Sequence, residues 1–188
     1  MSPRPLTATA PAAALLLSAL AAAAQAPVAS HGSPAAKASA AGGIQWTTPA
    51  RWKAGAESSM RVATYAVPAA KGASPGECAV FFFGPGQGGG VDDNVARWAK
   101  QFEGAPKAVS RTAQVAGLRV TRAEVAGTYL APGGPMMQST GKKTGYRLLG
   151  AIVEAPGGNV FFKLTGPATT VAAAQADFDA LVASVRKQ

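Results

Sequence analysis

Residues 77–103 read ECAVFFFGPGQGGGVDDNVARWAKQFE, and this stretch decides the fold. Its first part, Glu77–Phe83, is an apolar run that ends in three phenylalanines, which is typical of a strand covered on both faces. Gly84–Gly90 contains five glycines and ends that strand. Further apolar residues then recur four, three and four positions apart, at Val91, Val95, Trp98 and Phe102. That spacing predicts a helix over 91–103, with Trp98 buried against the phenylalanines of the preceding strand.

Strand patterns continue on both sides of this stretch. On the N-terminal side, Ile44–Thr48 and Ser59–Val67 predict strands, and Pro68–Gly76 carries the turn signals of a loop. On the C-terminal side, four further strands are predicted, at Ser110–Val115, Leu118–Leu130, Tyr146–Glu154 and Asn159–Thr165. In the second of these four, the apolar residues change parity, which predicts a β-bulge near Thr121–Arg122.

Two more segments complete the predicted fold. Ala131–Gly145 contains four glycines and two prolines and predicts a long mobile loop. Near the C-terminus, Thr169 or Thr170 is expected to cap a helix that buries apolar residues as far as Val185. The order of three strands, a helix, four strands and a helix predicts an α+β fold, in which an antiparallel sheet of six to seven strands is flanked by two helices.

The first 43 residues have a different composition. Residues 1–24 combine the positive charge of Arg4 with an apolar run over Pro11–Ala24, which predicts a signal peptide. A retained membrane anchor is the alternative, although the run is short and alanine-rich for a membrane span. Residues 25–43 are rich in Ala, Ser, Pro and Gly without apolar periodicity and predict a disordered linker. A single domain is expected over residues 44–188, exported to the periplasm or outside the cell.

The composition excludes several kinds of chemistry. With one cysteine and one histidine, the chain forms neither an internal disulfide nor a Cys/His zinc site. The histidine, His31, lies in the expected linker, so the domain has no residue for a Ser-His-Asp triad. Cys78 lies in an apolar strand and is expected to be buried and inert. No catalytic residue, metal ligand or cofactor is therefore predicted.

The charge of the chain bears on its partners. Lysine and arginine outnumber aspartate and glutamate by 18 to 9, which gives a net charge of +9. The basic residues are spread along the chain without a nucleic-acid-binding motif, so nucleic acid is not an expected partner. The expected partner is a protein of the cell envelope or an anionic envelope surface. No transmembrane segment is expected after removal of the signal peptide.

The glycine-rich loop is the most suggestive motif. Gly84-x-Gly86-x-x-Gly89 has the letters of a dinucleotide-binding fingerprint between a strand and a helix. Against that function, Asp92 and Asp93 at the helix start would repel a pyrophosphate. The following elements also indicate an antiparallel hairpin rather than a βαβ unit. The alternative is a flexible connection from strand to helix.

The candidate site extends from this loop onto the helix. It comprises three loop residues and three helix residues: Gly86, Gln87, Gly88, Asn94, Arg97 and Gln101. The helix residues lie three and four positions apart and therefore share one stripe. They either bind a small ligand or fix the loop by hydrogen bonds. A concave pocket lined by them would favour a ligand, whereas side chains turned back onto the loop would favour the structural role. Arg97 is also expected to pair with Asp93.

Several motifs resemble known families. WTTPARW at residues 46–52, with the order of strands and helix that follows it, resembles the opening of PsbP-like domains. Five further strings are similar to those of a group of uncharacterised exported bacterial proteins: FGPGQGG at 83–89, NxxRWxxQF at 94–102, GTY at 127–129, GAIVE at 150–154 and FFKLTGP at 161–167. The resemblance extends over most of residues 44–185. It implies an α/β/α sandwich with a non-catalytic, protein-binding role and implies no ligand residues.

The sequence therefore favours a non-enzymatic, exported interaction module with an unidentified partner. The alternative is a small-ligand-binding protein or an enzyme. Either of these would use the Gly84–Gly90 loop together with the stripe formed by Asn94, Arg97 and Gln101.

Overall fold

The computed structural model describes residues 38–56, 58–131 and 141–188, which form ten strands and three helices. The strands are β1 (Ala38–Ala41), β2 (Ile44–Thr47), β3 (Lys53–Ala54), β4 (Ala63–Val67), β5 (Gly76–Phe82), β6 (Val109–Val115), β7 (Leu118–Ala131), β8 (Gly141–Ala155), β9 (Gly158–Pro167) and β10 (Arg186–Lys187). The helices are α1 (Val91–Ala99), α2 (Ala168–Ala173) and α3 (Gln175–Ala183). The predicted signal peptide lies outside the described residues.

The strands of the described chain form two antiparallel sheets. The larger sheet has seven strands in the order β3-β4-β5-β9-β8-β7-β6, and the smaller has the order β1-β2-β10. α1 packs on one face of the larger sheet, and α2 and α3 pack on the other. This arrangement confirms the predicted α+β fold and the sandwich of helices around an antiparallel sheet. The predicted last helix is divided at Ala174 into α2 and α3.

Each face of the larger sheet has its own apolar core. The core under α2 and α3 includes Val80, Val120, Leu149, Phe162, Phe178 and Leu181. The core under α1 includes Trp98, Phe102, Val125, Leu148, Ile152 and Phe161. The central strands contribute side chains to both cores, and their sequences are consequently apolar on both parities.

β7 illustrates this two-sided burial and corrects one prediction. Val120 belongs to the core under α2 and α3, whereas Val125 belongs to the core under α1. The change of parity therefore reflects burial on both faces, and the bulge predicted near Thr121–Arg122 is wrong. The register with β8 instead shifts between Gly127 and Tyr129.

The expected linker is ordered at its C-terminal end. The prediction of disorder over residues 25–43 is wrong for Ala38–Ala41, which form β1 and pair with β2. Gly42 and Gly43 connect the two strands with φ angles of 61° and 79°, which glycine adopts without strain in a two-residue hairpin turn. Small side chains in β1 give no apolar periodicity, so composition alone did not reveal the strand. Residues 25–37 lie outside the described residues.

The helix boundaries also differ from the predictions. α1 ends at Ala99 rather than at residue 103, since the amides of Gln101 and Phe102 donate to carbonyls three residues earlier. The predicted threonine cap is wrong, because α2 begins at Ala168 without a side-chain cap. The Thr170 hydroxyl is buried inside α2 and donates instead to the carbonyl of Ser74. None of the helices in the described ranges is long and apolar enough to cross a membrane.

The predicted strand starts are correct to within one residue except for β4 and β8, which begin four and five residues from the predicted positions. β4 begins at Ala63 rather than at Ser59, because Arg61 N donates to the Ser58 carbonyl in a tight turn. β7 ends at Ala131 and β8 begins at Gly141, so the loop predicted over Ala131–Gly145 is wrong for its first residue and for its last five. Residues 132–140 of that predicted loop lie outside the described residues.

The motif at residues 46–52 connects the smaller sheet to both the larger sheet and α3. The side chain of Trp46 is 1% exposed, and its Nε1 donates to Tyr65 Oη at 3.0 Å. Trp52 Nε1 and Arg51 Nη2 both donate to Asp177 Oδ2 on α3, at 3.2 and 2.6 Å. The two tryptophans therefore belong to the core rather than to an exposed aromatic surface.

Candidate functional site

The helix side chains of the predicted site turn back onto the glycine loop. Asn94 is buried, and its Nδ2 donates to the carbonyl oxygens of Gly88 and Gly90, both at 2.8 Å. Arg97 Nη1 in turn donates to Asn94 Oδ1 at 3.2 Å. From β9, Asn159 Nδ2 donates to the carbonyl of Gly89 at 3.4 Å. These hydrogen bonds connect the loop to α1 and to the sheet.

The loop passes close to aromatic side chains, and this contact requires glycine. Gly88 has a φ of 85°, and a Cβ there would lie 2.8 Å from a ring carbon of Phe83 and 2.9 Å from one of Phe161. At the start of β9, a Cβ at Gly158 would lie 2.8 Å from the carbonyl oxygen of Gly84. Glycine at positions 88 and 158 therefore allows the loop to approach the sheet closely.

The two predicted glutamines are not joined to this network by their side chains. Gln87 is exposed, and its backbone N–H donates to the Gly84 carbonyl at 3.2 Å in a turn. The Oε1 atom of Gln101 is buried without a hydrogen-bond partner among the described residues. Arg97 bonds to Asn94, and the predicted ion pair of Arg97 with Asp93 does not occur among the described ion pairs.

A second group of polar side chains lies on the same face of the larger sheet. We call it the lysine–tyrosine cluster: Arg61, Glu77, Tyr129, Tyr146 and Lys163. Lys163 Nζ donates to Tyr129 Oη at 3.4 Å, and the rings of Tyr129 and Tyr146 stack with centroids 5.8 Å apart. Arg61 Nη1 lies 2.9 Å from Glu77 Oε1. The cluster brings together residues from five separate segments of the sequence.

Burial shifts two pKa values in the cluster. It lowers the pKa of the Lys163 ammonium from 10.5 to about 8, and the charge of Arg61 acts in the same direction while Glu77 opposes it. Burial also raises the pKa of the Tyr129 phenol. Near neutral pH the phenol is therefore a neutral hydroxyl, and Lys163 carries a charge that burial disfavours.

Exposed large apolar residues flank Arg61 in the sequence, at Met60 and Val62, and follow β5, at Phe83. We call these residues, together with Arg61 and the partly buried Phe81, the apolar–basic patch. The exposed fractions of Met60, Val62 and Phe83 are 66%, 45% and 40%, although all three are large apolar residues. The rings of Phe81 and Phe83 stack with centroids 6.1 Å apart, and the Arg61 guanidinium lies 5.7 Å from the Phe81 centroid.

The chain is similar to solved structures of other proteins. Cyanobacterial PsbP (CyanoP) from Synechocystis sp. PCC 6803 is similar with a TM-score of 0.51 and 13% identity, over 78% of this chain and 88% of that chain. The chain has a PsbP-like fold. A Pseudomonas aeruginosa protein of unknown function, PA94, titled a putative regulator, gives a TM-score of 0.46 at 12% identity, over 80% and 96% of the two chains. No family model and no curated protein matches the sequence.

The opposite face of the PsbP-like sheet has a cleft of about 80 Å³ between β6, β7 and α3. Two ion pairs lie in or beside this cleft: Arg122 with Asp179, and Arg147 Nε with Glu124 Oε1 at 2.8 Å. Arg147 Nη2 also donates to Gln175 Oε1 at 3.0 Å. Arg111 of β6 also lines the cleft and forms none of the described ion pairs, so these pairs balance only part of its charge.

Two further features of the described residues concern cysteine reactivity and metal binding. Cys78 is 0% exposed, and burial raises the pKa of its thiol, so it is a neutral core residue as expected. Over residues 38–56, 58–131 and 141–188, no group of three His, Cys, Asp or Glu side chains is placed to hold a metal ion.

One feature of the sequence indicates the lysine–tyrosine cluster. Lys163 is the single charged residue in β9, and it alternates with Phe162 and Leu164, which are fully buried. A cation at such a position must be covered by other side chains or reach solvent through a gap. Its partner Tyr129 is 34 residues away, and nothing in the local pattern indicates that pairing.

Proposed function

We propose that this protein is a non-enzymatic interaction module that is exported and binds a protein partner of the cell envelope through the apolar–basic patch. The observation that carries the proposal is the exposure of Met60 and Val62 on either side of Arg61, and of Phe83, whose ring stacks on the Phe81 ring that Arg61 covers. Methionine, aromatic residues and arginine are enriched in the buried centres of protein interfaces, and exposed apolar clusters on a folded surface mark such interfaces.

The chemistry of the patch specifies the partner. Three exposed apolar side chains favour a partner with an apolar centre over a purely anionic polymer or surface. The net charge of +9 favours acidic residues around that centre, because opposite potentials accelerate encounter and suppress wrong partners. The proposed partner is therefore a protein with an apolar contact surface and an acidic rim.

The alternative site at the glycine loop receives less support. Asn94 already donates both amide hydrogens to loop carbonyls, and its Oδ1 accepts from Arg97. A ligand at this position would have to replace bonds that the chain already makes. We therefore assign Asn94 and Arg97 the role of fixing the loop.

Export is the second part of the proposal and rests on the pattern of residues 1–24. The mature protein is expected to begin at Gln25. Mass spectrometry of the N-terminal peptide from an envelope fraction tests this point, and a mature chain that still begins near Met1 would contradict it.

Affinity capture from the native envelope fraction tests the binding surface. The double variant Val62→Ser, Phe83→Ser is expected to lose a protein that the wild type retains. Val109→Ser is the matched control, because Val109 is 74% exposed on β6, at the other edge of the sheet. Retention of the same protein by the double variant, with an unchanged near-ultraviolet circular dichroism spectrum, would overturn the assignment of the patch.

A further inference from the structure

Lys163 occupies an unusual position for a lysine. It lies in the middle of β9, paired with Ala79 on β5 and with Gly150 on β8. Both neighbours are small, and the ring of Trp98 fills the space above Gly150. The Lys163 side chain extends from this position towards β7, where its Nζ contacts Tyr129 Oη, on the sheet face that α1 covers.

The charge of this lysine is incompletely balanced by the chain. An ammonium group has three hydrogen-bond donors, and the one acceptor that the described residues provide to Lys163 Nζ is Tyr129 Oη, at 3.4 Å. The ion pairs of the described residues are formed by other cations, and the nearby Glu77 is already paired with Arg61. Lys163 is partly buried, and a partly desolvated ammonium without a carboxylate partner of its own is energetically costly, so an external anion would be stabilised here.

Two hydroxyl groups on the same face are also unsatisfied. Thr165 is two residues from Lys163 on β9, and Thr64 pairs with Ala79, which pairs with Lys163. The Oγ1 atoms of both threonines are buried and have no hydrogen-bond partner among the described residues. A threonine hydroxyl can donate to a carboxylate oxygen, and Thr165 is the nearer of the two to Lys163 in the sheet, because β5 lies between β4 and β9.

Aromatic rings form the wall next to these donors. Tyr129 and Tyr146 stack at 5.8 Å with an angle of 7° between their planes, and Lys163 Nζ lies 5.7 Å from the Tyr129 centroid. On the β5 side, Phe81 lies next to Phe161 in the sheet. A ligand that reaches the ammonium would therefore have its other end against apolar, largely aromatic surface.

We propose that Lys163, Tyr129 and Thr165 form a binding site for the carboxylate of a small organic acid whose apolar part lies against the tyrosine rings. The carboxylate accepts hydrogen bonds from the ammonium and the hydroxyl groups, and the aromatic wall excludes water from them. The three residues of this site lie outside the apolar–basic patch, although two patch residues adjoin it: Arg61, which pairs with Glu77, and Phe81, which belongs to the aromatic wall. Experiments can therefore refute the ligand site and the proposed partner surface independently of each other.

Calorimetric titration of the purified full-length protein with benzoate near neutral pH tests the site. Lys163→Met removes the charge and keeps an apolar side chain of similar length, and it should weaken benzoate binding by on the order of tenfold to a hundredfold. Lys71→Met is the matched control, because it removes one positive charge from an exposed loop position. It should leave the affinity unchanged.

Two further measurements separate this site from general charge or structural effects. Thr165→Val keeps the shape of the side chain and removes its hydroxyl, and it should weaken binding severalfold even if Lys163→Met fails to fold. Benzyl alcohol, which lacks the carboxylate, should not compete with benzoate. The proposal is overturned if the wild type does not bind millimolar benzoate, if Lys163→Met binds as well as Lys71→Met, or if benzyl alcohol competes.

Discussion

The ring of Trp98 on α1 occupies the space in which a side chain at Gly150 on β8 would lie. A Cβ added at Gly150 would be 2.0 Å from Trp98 Cζ3, and Trp98 itself is 5% exposed. The tryptophan was expected to pack near the phenylalanines of β5, and it shares a core with Phe161 and with the partly buried Phe81. This contact fixes the position of α1 on the sheet.

Both partners of that contact should be essential to stability. Trp98→Ala should lower the free energy of unfolding by about 3–5 kcal/mol, because it empties a buried aromatic site. Gly150→Ala should also destabilise, by at least about 1–3 kcal/mol, because a methyl group cannot be accommodated beneath the ring. Denaturant unfolding measures both effects. Arg97→Ala is the control on the same helix and should cost under about 1 kcal/mol; a larger loss for Arg97→Ala than for Trp98→Ala would contradict this packing.

Asn94 should contribute to stability because its side-chain amide donates hydrogen bonds to the glycine loop. Asn94→Ala leaves two loop carbonyls without their side-chain donor and should lower the free energy of unfolding by about 1–3 kcal/mol. Asn94→Asp should be more harmful near neutral pH, since a carboxylate would face the carbonyl oxygens of Gly88 and Gly90. Urea unfolding distinguishes the variants, and an aspartate variant as stable as the wild type would show that these bonds contribute little.

Lys163 should make stability depend on alkaline pH. The pKa of Lys163 is about 8 in the folded protein, whereas its ordinary value is 10.5. Between these two pH values, Lys163 is therefore more fully protonated in the unfolded chain than in the folded protein. The folded state therefore gains stability from this group as pH rises from about 8 to about 10.5.

Paired unfolding measurements isolate that contribution. Lys163→Met should be more stable than the wild type near neutral pH, and its advantage should shrink as the pH rises through this range. The difference between Lys71→Met and the wild type should stay constant with pH. A constant difference for Lys163→Met as well would show that Lys163 is not buried as a charge.

Two N-terminal deletions should separate the ordered residues from those before them. Deletion through residue 37 is expected to leave the melting temperature nearly unchanged, because the sequence up to that point lacks apolar periodicity. Deletion through Gly43 should lower it by several degrees. The larger deletion removes β1, the bond from Tyr65 Oη to Ser39 Oγ, and the bond from Gly157 N to the Gly42 carbonyl. Thermal unfolding of the two shortened proteins compares them directly, and equal melting temperatures would contradict the role of β1.

Local patterns predicted the parts of the fold that depend on neighbours in sequence. The strand, loop and helix of residues 77–103 follow from apolar spacing and glycine content, and the stripe of Asn94 and Arg97 follows from helical periodicity. The lysine–tyrosine cluster was missed because β9 lies between β5 and β8 in the sheet. Tyr129 and Lys163 meet only through this strand order and its register, neither of which short-range spacing specifies.

Site-specific photo-crosslinking tests the proposed interaction surface most directly. A photoreactive phenylalanine analogue at Met60, inside the apolar–basic patch, is compared in intact cells with the same analogue at Val109, which is at least as exposed and lies on the far edge of the sheet. The account predicts one discrete protein adduct from position 60 that is absent from position 109 and is lost when Phe83→Ser is added. Adducts of the same size from both positions, or none from position 60, would contradict it.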